Sequence, residues 1–221
     1  MKKNRFINYK KAFTLAEVLI TLVIIGVIAA ITIPTVVANS KDEEIRSMLK
    51  KSHSVIAQAL EFYYIDNGVV PKGGNFEGRT FKDVFVKHFN IAQDFGNTDF
   101  YYGDKDYDRY KNYYGNSNLN YYFFDDGQFI LNDGTFIMIE NPSTSSINNR
   151  VIISVDVNGP YKKPNRLGRD LFMFQVSNEG KLLAMGDPGT YFPEETYCKK
   201  NSYEEMSGAG CTSKMLRDKS K

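Results

Sequence analysis

Glu17 is the residue whose position most demands a chemical partner. It lies near the start of an apolar run, residues 13–33, and carries the only charged side chain among those 21 residues. An ionised carboxylate is costly in lipid and usually occurs there only where it pairs with another group. Glu17 therefore predicts a cationic partner.

Motifs for catalysis are absent from the sequence. It contains no Gly-rich phosphate loop, no cluster of His and Cys, and no G-x-S-x-G nucleophile motif. The acid pairs Asp125-Asp126 and Glu194-Glu195 stand at turn-like or polar positions, which predicts solvated loops. We therefore predict that the chain is not an enzyme.

Oxygen ligands suited to calcium occur at alternate positions in Asp156 and Asn158, with Asp170 nearby. No EF-hand loop follows, and Asp-x-Asn-Gly is a common turn sequence. The turn interpretation is favoured, so no cofactor is expected, and calcium at these three residues is the weaker alternative. His88 is expected to pack rather than to bind metal, because no second ligand is in sight.

The apolar run is long enough to cross a membrane. A helix of this length spans roughly 30 Å, the thickness of the hydrocarbon core. Before Glu17 the chain is basic, although its overall formal charge is only +2. A basic flank of this kind stays in the cytoplasm. The basic residues are Lys2, Lys3, Arg5, Lys10 and Lys11.

Two general interpretations of this segment stay open. A secretory signal peptide would be cut after Ala38, but the run exceeds the about 7–15 apolar residues of such signals and contains an acid. A plain transmembrane anchor fits the length but leaves Glu17 without a purpose. A third interpretation accounts for more of the residues.

The stretch KKAFTLAE, residues 10–17, resembles the processing site of type IV prepilins and type II secretion pseudopilins. The resemblance extends over residues 8–60 and includes Gly26 and Pro34. In that family a prepilin peptidase cuts before the apolar run and methylates the new N-terminus. The resemblance therefore implies a cut between Ala12 and Phe13, although the family usually has Gly before the cut.

The resemblance implies roles in assembly for several residues of this helix. Glu17 becomes the fifth mature residue and pairs with the Phe13 amine of a neighbouring subunit, so that two costly charges cancel only on assembly. Thr14 either adds a hydrogen bond at that point or bonds its own backbone. Gly26 and Pro34 either loosen the helix for bending or are simply tolerated in a membrane helix.

The two cysteines, Cys198 and Cys211, have twelve residues between them. They are too few to hold a tetrahedral zinc ion, and both histidines lie far away in the sequence. An exported domain favours a disulfide, and a pair of free buried thiols is the alternative. The pair also resembles the C-terminal disulfide loop of many type IV pilins.

An amphipathic helix is predicted over residues 40–66. Apolar residues recur across it at helical spacing, Ser40 with Glu43 matches a capping box, and Asn67-Gly68 ends the pattern. In the family this helix continues from the membrane segment, and we expect the same here, with a kink near Ser40.

Strands are predicted in the second half, where short apolar runs alternate with strong turn sequences. The runs are residues 121–124, 128–131, 135–140, 151–157, 171–176 and 181–185. A helix-like pattern over residues 79–91 precedes them. The predicted fold class is α+β, with a long N-terminal helix packed on the one buried face of an antiparallel β-meander head. This is also the pilin-like architecture that the resemblance implies.

Eight tyrosines fall within 22 residues, between Tyr101 and Tyr122. Such a stretch suits an exposed contact surface, or a long loop wrapped on the head by its own rings. We favour the wrapped loop. Few cations interleave with the rings, so no nucleic-acid partner is favoured.

Together these features predict a structural subunit of a type IV pilus or a type II secretion pseudopilus. Residues 1–12 would be a cleaved cytoplasmic leader, 13–38 the transmembrane and filament-core helix, and 39–221 an exported head with a β-rich region at 120–186 and a disulfide loop at 198–211. The chain would cross the inner membrane once, with its head in the periplasm or outside the cell. Its partners would be other pilin-like subunits, the prepilin peptidase and the inner-membrane assembly platform. The alternative is a secreted or membrane-anchored binding module.

Overall fold

The computed structural model describes residues 13–72, 76, 79–97, 109–141, 150–199 and 204–218. The chain divides into two units, Met1–Asp42 and Glu43–Lys221. Helix α1, Leu15–Asn67, contributes to both and is continuous through Ser40. The predicted continuation of the amphipathic helix from the membrane segment is therefore confirmed, and the Ser40 and Glu43 capping sequence does not begin a helix.

The part of α1 in the first unit exposes its apolar side chains. Leu15 is 78% exposed and Ile25 is 62% exposed. An 18-residue stretch of α1 is long and apolar enough to cross a membrane, and none of that stretch is buried. A continuous apolar surface of this kind suits lipid or a protein partner rather than water.

In the second unit, six strands form one antiparallel sheet within the part of the chain that the structure describes, and each strand pairs with the next along the sequence. The strands are β1 (Ile91–Gly96), β2 (Gly127–Leu131), β3 (Phe136–Glu140), β4 (Ile152–Asp156), β5 (Leu171–Val176) and β6 (Leu182–Ala184). The predicted α+β meander is confirmed.

Two local predictions around this sheet are corrected. The run 121–124 is a 3₁₀ turn, Tyr121–Phe123, in which the Asn120 side chain accepts a hydrogen bond from the Tyr122 N–H. The helix-like pattern over 79–91 holds only for Phe81–Phe85 and the 3₁₀ turn Val86–His88, after which the chain extends into β1.

α1 covers one face of the sheet. Its buried side chains recur every three or four positions and pack against buried strand residues such as Ile137, Ile153 and Phe172. They are Leu49, Ser52, Ile56, Ala59, Leu60 and Tyr63. The helix ends at Asn67 because Gly68 takes the left-handed conformation, with φ 68°, and its N–H bonds the Tyr64 carbonyl at 2.8 Å.

The opposite face of the sheet is buried as well, so the prediction of a sheet with one buried face is wrong. Phe136, Met138 and Met173 pack on this face against connecting segments that contribute side chains such as Tyr110 and Phe192. Strands β3, β4 and β5 consequently have no exposed residue. Burial on both faces explains why these strands read as continuous apolar runs rather than as an alternating pattern.

The C-terminal helix, Cys211–Arg217, closes the edge of β5 beyond the end of β6. The hydroxyl oxygen of Thr212 accepts a hydrogen bond from the Met173 N–H at 3.0 Å, and the Ser213 N–H donates to the Met185 carbonyl at 3.0 Å. Thr212 is fully buried, so its hydroxyl satisfies a strand donor that no neighbouring strand reaches.

Replacing Thr212 with Val is expected to lower the free energy of unfolding by about 1–3 kcal/mol, because the Met173 N–H would stay buried without an acceptor. Denaturant unfolding of the detergent-purified chain measures the change. Thr212→Ser, which keeps the hydroxyl, is the matched control and should cost less. Equal stability of the Val variant and the unmodified protein would contradict the role assigned to Thr212.

Candidate assembly and processing site

The N-terminus of α1 is closed by reciprocal hydrogen bonds between Thr14 and Glu17. The Thr14 N–H and the Thr14 hydroxyl both donate to Glu17 Oε2 at 2.8 Å, and the Glu17 N–H donates to Thr14 Oγ1 at 3.2 Å. This is a capping box, in which the residue before the helix and the third helical residue satisfy each other's free backbone donors. The Thr14 hydroxyl thus bonds both the backbone and the carboxylate of Glu17, and its contribution to assembly stays a prediction.

The T-x-x-E spacing that produces this cap was present in the sequence. The sequence prediction placed a capping box at Ser40 and Glu43, but the structure forms the cap at Thr14 and Glu17. Both pairs have the spacing of a capping box, but only Thr14 and Glu17 stand where a helix begins. Spacing alone therefore does not predict which of the two forms the cap.

The cap engages only one oxygen of the Glu17 carboxylate. Both donated bonds end on Oε2, and Oε1 makes no hydrogen bond within the described residues. Phe13, directly before the cap, is 87% exposed. Ala12 lies outside the described residues. The geometry therefore leaves a carboxylate oxygen open beside the point where the implied cut would create an amine.

Gly26 and Pro34 both lie within α1. A Cβ at Gly26 would meet nothing within 4 Å, so no neighbour among the residues that the structure describes requires glycine there. Pro34 lacks the N–H that would bond the Ala30 carbonyl. Nearby, the Thr32 hydroxyl donates a hydrogen bond to the Ile28 carbonyl at 2.9 Å. A side-chain donor of this kind competes with the backbone N–H for the same carbonyl. Whether this stretch bends in a filament stays a prediction.

The two cysteines form a disulfide in the structure, with Cα atoms 4.8 Å apart. Cys198 follows the short helix Glu194–Tyr197, and Cys211 begins the C-terminal helix. The Gly208 N–H also bonds the Tyr197 carbonyl at 2.7 Å across the closed loop. The cross-link therefore fastens the segment that carries Thr212 to the body of the head.

The structure brings Asp156 and Asp170 together in the connection between β4 and β5, where both are fully buried. Asp156 accepts hydrogen bonds from the Tyr110 hydroxyl at 2.6 Å and from the Gly159 N–H at 3.0 Å. Asp170 accepts from the backbone N–H groups of Asn165, at 2.8 Å, and of Arg166, at 2.7 Å. Both carboxylates thus hold the backbone of this turn, and the expectation that no calcium binds here stays a prediction.

Burial sets the electrostatics of this connection. It raises the pKa of Asp156 to about 7, with the nearby Asp170 carboxylate acting in the same direction and the Tyr110 hydroxyl opposing it. Asn158 donates its backbone N–H to Asp156 at 3.3 Å, so the third weak calcium candidate also belongs to the turn.

The Tyr-rich stretch is described from residue 109 onward, so Tyr101, Tyr102 and Tyr107 lie outside the described residues. Tyr110 is 1% exposed and belongs to the core, whereas Tyr122 is 59% exposed. The described part therefore combines a wrapped loop with an exposed ring.

His88 packs as expected. Its side chain is 10% exposed and its ring contacts those of Phe62 and Tyr63, with Asp66 at 3.9 Å.

One sequence interpretation of acidic residues is wrong. Asp125 and Asp126 are 6% and 8% exposed rather than solvated. They lie directly before β2, and Arg79 contacts both, at 2.9 Å to Asp125 Oδ2 and 3.3 Å to Asp126 Oδ1. Glu194, of the other pair, is partly buried, forms an ion pair with Arg217 and accepts a hydrogen bond from the Ser213 hydroxyl at 3.0 Å.

Comparison with known protein families identifies the prokaryotic N-terminal methylation motif at residues 7–33. The match covers the capped start of α1 with Thr14 and Glu17, the implied cut before Phe13, and Gly26. No curated protein and no solved structure matches the chain. The match at residues 7–33 identifies the segment: this chain carries the N-terminal methylation signature of prepilin-type proteins.

Proposed function

We propose that this chain is a structural subunit of a pilus-type filament, of the type IV pilus or type II secretion class. The observation that carries the proposal is the methylation motif at residues 7–33, which coincides with an exposed apolar helix and its single embedded acid. The prepilin peptidase cuts between Ala12 and Phe13 and methylates the new amine. The apolar helix is then kept in the mature protein.

In this proposal Glu17 and Phe13 set the offset between neighbouring subunits. The α-amine at Phe13 and the carboxylate at Glu17 are both poorly solvated in lipid. Oε1 of Glu17 lies free of the cap, and an amine from the next subunit binds it without breaking the hydrogen bonds to Thr14. The pair forms only between subunits placed at one axial offset, so it favours ordered assembly.

The basic leader and the disulfide indicate the same orientation of the chain across the inner membrane. Lys and Arg residues before the apolar run hold the N-terminus in the cytoplasm. The Cys198–Cys211 bond suits an oxidising compartment, the periplasm or the cell exterior. The head thus stands on the outer side of the inner membrane, where the assembly platform adds it to the filament.

Mass spectrometry of the N-terminal peptide tests this proposal. The native chain is purified from membranes of a host that has a prepilin peptidase. The expected peptide begins at an N-methylated Phe13, because the peptidase cuts before the apolar run. Ala12→Gly, which restores the residue usual before the cut, is the matched control and should be processed at least as completely.

Two results would overturn the proposal. A mature chain that begins at Asn39 has lost the apolar helix and is a secreted binding module. A chain that keeps Met1 even in the Ala12→Gly variant is a membrane-anchored module that the peptidase does not process.

A further inference from the structure

We propose that the heads of two subunits join through a knob on one copy and a groove on the other. The knob is the tip of the β4–β5 connection, where Tyr161 is 72% exposed beside Lys162 and Lys163. The groove is a cavity of about 400 Å³, lined by residues from the end of α1 and from the β5–β6 turn. This contact rests on the proposed filament function and concerns the heads rather than the apolar helices.

The knob has a fixed shape that leaves the Tyr161 ring exposed. The Asn165 side chain donates to the Pro160 carbonyl at 2.9 Å, which closes the connection over residues 160–165. The Arg109 guanidinium lies over the Tyr161 ring, 5.2 Å from its centre. A segment that is ordered before it binds loses little conformational freedom on binding, and tyrosine is a common anchor of protein interfaces. Tyr161 is therefore suited to enter a partner.

The groove offers an apolar surface to such an anchor. Tyr64 is 54% exposed and Ile65 is 72% exposed, although both lie beside the buried face of α1. Exposed apolar side chains around a concave surface are typical of a site that a partner covers. The apolar residues that line the groove are Leu60, Tyr64, Ile65, Val70 and Pro71.

The charges of the knob and of the groove are opposite. Two exposed acids also line the groove, and two exposed lysines follow Tyr161 in the knob. None of these four residues forms an ion pair within the described residues, although Lys72 and Lys181 lie close enough to one of the acids to act on it. Complementary charges favour contact between knob and groove, and like charges disfavour contact between two knobs or two grooves. The four residues are Glu61, Glu179, Lys162 and Lys163.

The strand topology separates the knob from the groove of its own chain. The β4–β5 connection precedes β5 and the β5–β6 turn follows it, so the six residues of β5 lie between the two. At about 3.4 Å per residue this separation is roughly 20 Å. The knob therefore meets a groove only on a second copy, and each contact between two copies leaves one knob and one groove open.

A contact of this kind can link many copies. An interface between two different surfaces of one protein is heterologous, and it forms rings or open filaments. Gly159 of the β4–β5 connection lies directly against Gly134 in the β2–β3 turn, and Asp133 of that turn pairs with Lys51 at 2.7 Å. The groove lies further along α1, at its last two turns. Heads joined in this way thus form a row that follows the direction of α1.

The contact is too small to hold two copies together by itself. One aromatic side chain and two exposed ion pairs bury less surface than the about 1,200 Å² at the low end of stable interfaces. It forms once the apolar helices have brought the heads together, and many such contacts then act jointly. Subunits in detergent should therefore not associate through their heads before assembly.

Zero-length cross-linking of filaments sheared from cells tests this contact. A carbodiimide joins a lysine amine directly to a carboxylate that it touches. Mass spectrometry should identify peptides that link Lys162 or Lys163 to Glu61 or Glu179. The products from filaments should form a ladder that extends beyond the dimer, because each linked copy still has an open knob or groove. The detergent-purified chain should give none of these links.

Charge reversal provides a test that a purely structural role would fail. Lys162→Glu with Lys163→Glu should reduce assembled filaments at least about fivefold, because like charges then face each other. Glu61→Lys with Glu179→Lys should have the same effect for the same reason. All four substitutions in one chain should restore assembly, since the charges are again opposite.

Tyr161→Ala removes the anchor and leaves all four charges in place. It should also reduce filaments at least about fivefold, the loss expected when a buried interface anchor is truncated. Tyr122→Ala is the matched control, because it removes another exposed ring and should assemble like the unmodified chain. In every variant the N-terminal peptide should still begin at N-methylated Phe13.

Several outcomes would overturn the contact. Filaments that depend on Glu17 and carry N-methylated Phe13, but lack these cross-links, would reject the contact and leave the proposed function standing. Cross-links from Lys162 or Lys163 to a different protein would assign the knob to another partner. A fourfold variant that assembles no better than the two charge reversals would reject the pairing of knob and groove. If the chain is neither processed nor assembled, the proposed function fails and the contact fails with it.

Discussion

Replacing Glu17 with Gln is expected to reduce assembled filaments at least about tenfold while the chain still accumulates in the membrane, because the charge at this position is the group that pairs with a neighbouring amine. Gln preserves the capping box, in which Glu and Gln are interchangeable at the third helical position. The substitution therefore removes the charge and keeps the helix start. Filaments sheared from cells and membrane-bound subunits, quantified separately, give the two readouts.

Thr14→Ala is the matched control for this experiment. It removes the hydroxyl that donates to Glu17 and accepts from its N–H, and keeps the carboxylate. Loss of a helix cap costs about 1 kcal/mol, so the helix start should loosen while assembly largely persists. If Thr14→Ala abolished filaments and Glu17→Gln left them normal, Glu17 would act through the cap and the intersubunit pair would be rejected.

The elements that could be predicted from sequence are those whose signals are local. Turn sequences such as Asn132-Asp133-Gly134 bound β2 and β3, and Gly134 takes φ 88° in the structure. The run 171–176 coincides with β5, because a strand buried on both faces needs a continuous apolar sequence. The helical spacing of apolar residues likewise identified the face of α1 that packs on the sheet.

The features missed depend on contacts between distant residues. β1 is exposed over most of its length, carries Gln93 and Asp94 in its middle and forms by pairing with β2, so no local pattern marks it. Asp125 and Asp126 read as a turn, yet Arg79 and the register with Glu140 bury them. Sequence alone gives neither the register nor the segments that cover the second face of the sheet.

The candidate site also combines one feature that the local sequence predicts with others that depend on the folded structure. Glu17 stands out from sequence because a single acid in an apolar run is anomalous wherever the helix lies. The capping box with Thr14 depends on where the helix begins, and two capping sequences competed for that place. Asp125, Asp126 and Glu140 meet only once β2 and β3 pair, so no local pattern in the sequence brings these acids together.

Replacing both cysteines, Cys198→Ser with Cys211→Ser, is expected to lower the free energy of unfolding by about 3 kcal/mol, because a cross-link that closes a loop of this length restricts the unfolded chain. The expected structural consequence is local. The C-terminal helix holds Thr212 against Met173, and without the cross-link that helix separates from the edge of β5 before the sheet unfolds.

Denaturant unfolding gives the free energy, and hydrogen exchange at the Met173 amide reports the local opening. Reduced, unmodified protein is the matched control: it should unfold like the double variant, and the variant itself should not respond to reductant.

Faster exchange at Met173 with unchanged exchange at Ile153, in the middle of the sheet, would fit a cross-link that fastens the edge. An equal change in the exchange rates of both amides would mean that the disulfide stabilises the head only as a whole. A variant as stable as the oxidised protein, with Met173 equally protected, would show that Thr212 and the buried contacts of the C-terminal helix hold this edge without the disulfide.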